Sequence, residues 1–146
     1  MSIFSKLTIT TLLLGQAAAM ACDCAAPHKI PRAFYTADTV FVGRVYDVQV
    51  DNKRPFDGKV ASINVTEAIY GTFEKKNEKI RTATSGAACG YGFQTGDDVL
   101  VYAYLDDKGQ LATSSCSRSK DASSASSEID KLRELAKEDR TPETQN

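Results

Sequence analysis

The chain has 146 residues, with 18 basic residues, 19 acidic residues and one histidine. This balance argues against nucleic acid or an anionic membrane as the partner, because both select a basic surplus. A single histidine excludes zinc sites built from two or three histidines, and the common phosphate-loop, serine-hydrolase and zinc-protease motifs are missing. We therefore expect no enzyme and no cofactor belonging to the chain itself.

Residues 1–21 have the pattern of a secretory signal peptide. Lys6 precedes a short apolar stretch, residues 7–14, and small residues ending at Ala21 form a cleavage site. The apolar stretch is shorter than the ~20 residues that span a bilayer, and no later segment reaches that length. We expect a secreted protein, extracellular or periplasmic, without a transmembrane segment and with Cys22 as its first mature residue.

A bacterial lipoprotein signal is the alternative at this boundary, with Cys22 acylated on its sulfur and its amine. Such signals usually carry leucine three residues before the cysteine, where this chain has Ala19. Plain secretion is therefore the favoured prediction.

Removing 21 of the 146 residues leaves 125, with 17 basic and 19 acidic residues and a net charge of −2. This length suits one domain with a modest core. We expect that domain to cover residues 22–140, to be monomeric, and to be followed by a polar tail, residues 141–146.

The mature part begins with an irregular segment. Pro27 and Pro31 are predicted to keep residues 25–32 extended and out of a helix, and residues 33–38 to form a helical turn. Five later segments are rich in β-branched and aromatic residues or alternate in polarity. The predicted strands cover residues 39–50, 59–70, 79–84, 98–105 and 110–113. The first strand has an alternating face made of Val40, Val42, Arg44, Tyr46, Val48 and Val50.

A helix is predicted near the end of the chain. Ser127 and Asp130 fit a capping box that would start it. The apolar residues at helical spacing, which should lie on the sheet, are Ala125, Ile129, Leu132 and Ala136. About five antiparallel strands followed by one helix predict a mainly β fold, a small closed or partly open barrel of the OB type.

All four cysteines, Cys22, Cys24, Cys89 and Cys116, lie in the mature part. An even number in an exported chain implies two disulfides, for which three pairings exist. Cys22 and Cys24 are poor partners for each other, because one intervening residue rarely permits unstrained geometry. Each should pair with Cys89 or Cys116, and the residues alone leave open which.

Short motifs follow one another in a fixed order from Cys22 to about Ser119. They are Cys22-x-Cys24, Pro27-His28, Ala33-Phe34, Ala37-Asp38, Val40, Val42-Gly43, Cys89-Gly90-Tyr91, Gly109-Gln110-Leu111, Thr113 and Cys116-Ser117. This ordered set resembles the N-terminal domain of the tissue inhibitors of metalloproteinases. The resemblance covers most of the mature chain. The short predicted signal peptide is typical of a bacterial protein, which would make this chain a bacterial member of the family.

The resemblance implies an OB-type barrel, also called netrin-like, with disulfides Cys22–Cys89 and Cys24–Cys116. It implies a function as a secreted metalloprotease inhibitor. The amine and carbonyl of Cys22 would chelate the catalytic zinc of the target, displacing the water that the protease uses as nucleophile. The residues that it places against the protease are Cys22, Asp23, Cys24, Ala25, Ala87 and Ala88.

The chain departs from this pattern in two places. Tyr35 stands where the family has a cysteine of a third disulfide. Between the first cysteines the family usually has threonine or serine, whose side chain enters the specificity pocket of the protease, and this chain has Asp23. Burying an unpaired carboxylate costs several kcal/mol, so inhibition would be weak or restricted to proteases with a cationic pocket. The alternative function is a non-inhibitory netrin-like module that binds another protein, which includes a lipoprotein acylated at Cys22.

Overall fold

The computed structural model describes residues 22–26, 28–73 and 76–140. The predicted signal peptide, residues 1–21, and the predicted polar tail, residues 141–146, lie outside the described residues. The helices and strands are α1 Ile30–Thr36, β1 Thr39–Val50, β2 Lys59–Tyr70, β3 Asn77–Thr82, β4 Asp98–Leu105, β5 Leu111–Ala112, β6 Lys120–Asp121 and α2 Ser126–Arg140.

Five of these strands close into a barrel. β1 pairs antiparallel with both β2 and β4, and β2 pairs antiparallel with β3. β3 then pairs in parallel with β5, which pairs antiparallel with β4 and completes the circle β1-β2-β3-β5-β4. The short β6 adds to β4. The mainly β, OB-type barrel with a C-terminal helix that the sequence predicts is therefore confirmed.

The core has two parts. The barrel interior contains the side chains of Phe41, Val45, Ala61, Ile63, Ile80, Phe93, Val99, Val101 and Ala103. The second part lies between the outside of the barrel and the two helices, and includes Phe34, Val40, Leu100, Tyr102, Ile129 and Leu132. β4 contributes to both parts because its successive side chains point to opposite faces and both faces are covered. This explains why residues 98–105 form the most apolar run of the mature sequence.

The residues of the alternating face predicted for β1 do not all lie on the same side of the sheet. Its members are Val40, Val42, Arg44, Tyr46, Val48 and Val50. The barrel interior instead receives Phe41 and Val45, while Arg44 and Tyr46 are exposed. The pairing with β2 shifts between Val45 and Asp47, and such a bulge changes the face on which later side chains lie.

Most predicted strand bounds are confirmed, since β1, β2 and β4 span the predicted residues. β3 covers Asn77–Thr82, two residues earlier than predicted, and β5 is reduced to Leu111–Ala112. β6 was not predicted. Within the described ranges, no helix is long and apolar enough to cross a membrane.

The sequence-based predictions at both helix starts are wrong. α1 begins at Ile30 with Pro31 in its first turn, where proline is tolerated because the first amide groups have no partner inside the helix. α2 begins at Ser126, so Ser127 lies within the helix and does not cap it. The apolar face predicted for α2 is confirmed as buried: Ala125, Ile129, Leu132 and Ala136.

Candidate functional site

The N-terminal segment, residues 22–26, is attached to the barrel by both disulfides. The bonds are Cys22–Cys89 and Cys24–Cys116, which is the pairing that the resemblance implies. Cys22 is partly buried, and residues 23–26 are exposed. The segment therefore lies on the surface with its backbone fixed at two points one residue apart.

A tight turn presents Cys89 to this segment. Gly86–Ala88 forms one turn of 3₁₀ helix, and Cys89 follows with a φ of 61°, a left-handed conformation that is uncommon for a residue with a side chain. The amide of Cys89 donates to the carbonyl of Gly86 over 3.1 Å. Ala87 and Ala88 directly precede Cys89, so the disulfide places them beside Cys22. The N-terminal segment and the turn that carries Ala87 and Ala88 are thus joined by the Cys22–Cys89 disulfide, and we call the two together the N-terminal edge.

Gly90 is required for this turn. A Cβ atom at residue 90 would collide with the backbone of Ala83 and lie 2.8 Å from the carbonyl oxygen of Ser85. The amide of Gly90 donates to that same oxygen over 2.8 Å. Glycine therefore permits the close approach that closes the loop.

The loop that carries Cys116 is anchored separately. The amide of Ser115 donates to the carbonyl of Cys89 over 2.9 Å. The buried hydroxyl of Thr113 donates to the carbonyl of Tyr102 over 2.8 Å. The two loops that hold Cys22 and Cys24 are consequently joined to each other and to β4 by hydrogen bonds as well as by the disulfides.

An ion cluster contacts the chain shortly after the N-terminal segment, at His28. Arg118 donates through Nε and Nη2 to the two carboxylate oxygens of Glu128, each over 2.7 Å, and through Nη1 to the carbonyl of His28 over 3.0 Å. Lys120 also donates to Glu128 over 2.7 Å, and the hydroxyl of Tyr102 donates over 2.8 Å. Arg118 therefore links the segment after Ala26 to helix α2.

The electrostatics of this cluster favour the ionised carboxylate. Burial alone would raise the pKa of Glu128, but hydrogen bonds from Arg118, Lys120 and Tyr102 outweigh it and lower the pKa to about 2. Burial raises the pKa of Tyr102, and the hydrogen bond to Glu128 adds to this, so Tyr102 stays a neutral donor. A buried carboxylate that keeps its charge needs this set of partners.

Sequence reasoning missed Arg118 and Glu128 as residues that position the segment. The available signal was Glu128 next to the apolar positions of an amphipathic helix, but the sequence-based prediction assigned its neighbours Ser127 and Asp130 to a capping box. An acidic residue at the edge of a buried helical face needs a cationic partner, but this requirement does not tell which of the basic residues supplies it, and the structure shows Arg118 and Lys120.

Four aromatic residues in the second half of the barrel are used in packing and do not form an exposed binding face. Tyr102 is fully buried and Phe93 nearly so, while Tyr91 and Tyr104 are partly buried against the two parts of the core. An open cleft of about 650 Å³ is lined by Tyr46, Lys79, Arg81, Leu111 and neighbouring residues, none of which belongs to the N-terminal edge.

The chemistry available at the N-terminal edge is that of a fixed main chain. The sulfur of Cys22 is in a disulfide and is not free to bind a metal. A backbone nitrogen and carbonyl oxygen of one residue can form a five-membered chelate ring with a metal, provided that the nitrogen is a free amine.

Comparison with models of known protein families gives no match, and comparison with curated protein sequences gives none either.

Proposed function

We propose that the mature chain is secreted and inhibits zinc metalloendopeptidases through its N-terminus. Cleavage after Ala21 would leave Cys22 with a free amine, and this amine and the carbonyl oxygen of Cys22 chelate the catalytic zinc of the protease. A catalytic zinc keeps one position for water, and the chelate occupies it. The chain contributes no metal or cofactor of its own and acts as a binding partner, with no catalytic residue.

The observation that carries this proposal is the double attachment of the N-terminal segment. Cys22 and Cys24 are each bonded to a different loop of the barrel, and Arg118 holds the carbonyl of His28. A segment fixed in this way loses little conformational entropy on binding, which favours affinity. The use of the Cys22 sulfur in a disulfide also supports secretion over acylation at that sulfur.

The residues beside Cys22, all exposed except the partly buried Ala88, supply the rest of the contact. Asp23, Cys24 and Ala25 follow Cys22 on the exposed segment, and Ala87 and Ala88 precede its disulfide partner. Small alanine side chains leave room for the rim of a protease cleft to approach the main chain. Asp23 is exposed, and its side chain makes no hydrogen bond to another described residue that would hold it away from the pocket of a protease. Its carboxylate therefore decides which protease pockets accept the segment.

The test compares two forms of the mature protein, one starting at Cys22 and one with a single alanine added before it. The extension turns the amine into an amide, which is a poor metal ligand, and leaves the barrel untouched. We expect the unextended form to inhibit a panel of zinc metalloendopeptidases and the extended form to lose inhibition, with identical near-UV circular dichroism. Equal inhibition by both forms, or none by either, refutes the chelation and leaves the non-inhibitory protein-binding module as the function.

Asp23→Thr tests the role of the side chain between the cysteines. Removing the carboxylate avoids the desolvation of a charge and its repulsion from the catalytic glutamate of the target. We expect stronger inhibition of proteases with a neutral pocket and weaker inhibition of any with a cationic pocket. Unchanged inhibition constants in both groups would mean that residue 23 does not enter the pocket.

A further inference from the structure

Strand β3 has one open edge. On one side β3 pairs with β2 along its whole length, Asn77–Thr82. On its other side β3 pairs with β5 at Arg81, which lies opposite Ala112. Among the described residues, the part of β3 before Arg81 therefore has no neighbouring strand on that side, and we call this part the β3 edge.

The main chain of the β3 edge has hydrogen-bonding groups without a partner. Successive residues of a strand direct their N–H and C=O groups to alternate sides. The carbonyl of Lys76 accepts from an amide of β2 over 2.7 Å, and the carbonyl of Arg81 accepts from the amide of Thr113, after β5, over 2.9 Å. Asn77 and Lys79 therefore direct their groups to the same side as Arg81, where no main-chain partner for them is found within the described ranges.

The open cleft of about 650 Å³ lies along the β3 edge. Asn77 and Lys79 line it on one side, and Leu105 and Leu111, from the hairpin of β4 and β5, line it on the other. At about 3.3 Å per residue, residues 77–81 extend over about 13 Å, enough to pair with about four residues of an added strand. The cleft therefore offers both the space and the main-chain groups that an extended peptide uses when it adds to a sheet.

The side chains of the β3 edge present positive charge on the outer face of the barrel. Ile80 points into the barrel interior, and side chains alternate along a strand, so Lys79 and Arg81 lie on the outer face and Glu78 on the inner one. Lys79 is exposed and forms no ion pair with another described residue. Arg81 donates to the main-chain carbonyl of Asp57 over 3.3 Å, which is an uncharged partner. The outer side of an added strand would therefore be favoured by carboxylates.

The inner side of an added strand would meet apolar side chains. Leu105 follows Val101 and Ala103 at alternate positions of β4, so it lies on the same face as these interior residues, but it is 54% exposed. Leu111 packs against the barrel interior from β5. The carboxylate of Asp106, in the turn of this hairpin, accepts from two amides of the same turn, each over 2.8 Å. The cleft therefore fits a strand in which acidic and apolar residues alternate.

A second copy of the chain is a poor occupant of the β3 edge. Two such edges paired antiparallel about a twofold axis would place Lys79 of one copy opposite Lys79 of the other. Lysine on an edge strand opposes this kind of self-pairing by repulsion. The same lysine attracts a strand that carries carboxylates.

We propose that the β3 edge binds an extended acidic peptide segment of another protein as an added strand. The main chain of the segment pairs with Asn77 and Lys79, its carboxylates face Lys79 and Arg81, and its apolar side chains contact Leu105 and Leu111. This surface does not include Cys22. The chain therefore has a second binding surface that operates independently of the proposed zinc chelation.

The probe is a peptide with blocked ends in which three aspartates alternate with three valines. A fluorescent form is titrated with the mature protein and followed by anisotropy, and the unlabelled form is followed by NMR of the protein amides. We expect saturable binding, with the largest shifts at the amides of Asn77 and Lys79, and no binding of a peptide with lysine in place of aspartate. Equal binding of the two peptides, or shifts that leave β3 unchanged, would overturn the proposal.

Methylation of the peptide nitrogens tests the strand pairing directly. In an added strand, the N–H groups of alternate residues face β3. One peptide is therefore methylated at the valine nitrogens and another at the aspartate nitrogens, with the same charge in both. We expect one of the two to lose binding and the other to keep it. Equal affinities of the two methylated peptides, whether retained or lost, would mean that no strand is added.

Substitutions at Lys79 test the protein side of the contact. Lys79→Glu should weaken binding roughly 3–30-fold, because it removes an exposed ion pair and adds repulsion, whereas Lys131→Glu on α2 is the matched control and should change nothing. Lys79→Pro also removes the amide on the open side, which makes no bond to β2, and should weaken binding more than Lys79→Ala. Equal affinities of these last two variants, with the fold verified by circular dichroism, would contradict the main-chain pairing. If Lys79→Pro does not fold, the methylated peptides decide the question.

Two measurements separate this surface from its alternatives. The form with an alanine added before Cys22 should bind the peptide with unchanged affinity, because the β3 edge is distant from the chelating amine; a loss of binding would contradict two independent surfaces. Sedimentation should find the mature protein monomeric. A dimer that Lys79→Pro dissociates would identify a second copy as the occupant and overturn the proposal.

Discussion

Glu128 connects the C-terminal helix to the barrel and, through Arg118, to the chain at His28, shortly after the N-terminal segment. Its side chain is 7% exposed, and that of Arg118 is 18% exposed. We expect Glu128→Gln to destabilise the protein at neutral pH, because the cations of Arg118 and Lys120 remain at the site without the charge that offsets their desolvation. The expected loss of unfolding free energy is large for the substitution of a single residue at the edge of the core.

The magnitude follows from the pKa. The pKa of Glu128 falls from the ordinary value of 4.5 to about 2 in the folded protein, a difference of about 2.5 units, which corresponds to about 3 kcal/mol at 1.36 kcal/mol per unit. Because the folded pKa is lowered, this stabilisation is fully present above about pH 4.5. It is lost as the pH falls from about 4.5 to about 2.

The assay is urea unfolding of the wild type and of Glu128→Gln at several pH values between 7 and 2. We expect a difference in the free energy of unfolding of about 3 kcal/mol at pH 7 that narrows below pH 4.5. Glu134→Gln is the matched control, since Glu134 lies on the same helix with a 62% exposed side chain paired with Lys131, and an exposed pair contributes roughly 0–1 kcal/mol. A difference for Glu128→Gln that stays constant with pH, or one no larger than the control, would refute the reasoning.

Two further substitutions test the turn and the core by urea unfolding. Gly90→Ala should lower the free energy of unfolding by about 1–3 kcal/mol or more, because the added Cβ atom would meet the backbone at Ala83. Gly86→Ala is the control, since a Cβ atom there meets open space and should change the stability little. Similar effects of the two substitutions would contradict the close approach at Gly90. Leu132→Ala should lower the free energy of unfolding by about 2–5 kcal/mol, since Leu132 is fully buried between α2 and the barrel. Leu105→Ala is the control and should lower it far less, because Leu105 is 54% exposed. A small effect of Leu132→Ala would mean that the helix does not depend on this contact.

The strands could be predicted because local sequence determines them. In β1, β2 and β4 a run of β-branched or alternating residues is bounded by turn residues, and the predicted bounds agree with the structure. A strand was also predicted at residues 110–113, where the shorter β5 lies, whereas β6 is only two residues long and depends on pairing with β4 and not on its own composition. No local pattern of two residues could indicate that dependence.

The start of α1 shows a different limit. Two prolines close together favour an extended chain by themselves, yet Pro31 lies in the first turn of a helix whose Phe34 is fully buried. Burial of one aromatic side chain is worth more than the local preference of the preceding residues. The outcome therefore depended on a contact with the C-terminal helix, which is distant in sequence.

The candidate site also has a part that the sequence predicted and a part that it could not predict. The cysteine count and spacing predicted that the N-terminal segment is fixed to two distant loops, and the described residues show both bonds. The sequence could not indicate that Arg118 reaches the carbonyl of His28, because this bond joins a side chain to a main-chain atom 90 residues away. Main-chain partners leave no pattern of residue types in a sequence.

That hydrogen bond gives the ion cluster a second consequence for the proposed inhibitor. Protonation of Glu128 near pH 2 would remove the charge that orients the guanidinium of Arg118, and with it the support for the segment that follows Cys24. The disulfides would still hold Cys22, because they do not titrate. The N-terminal amine, which must lose its proton to bind zinc, is protonated at far higher pH than Glu128. Acid should therefore abolish zinc chelation well before it loosens the segment, so a pH profile of inhibition and a pH profile of stability should have separate midpoints.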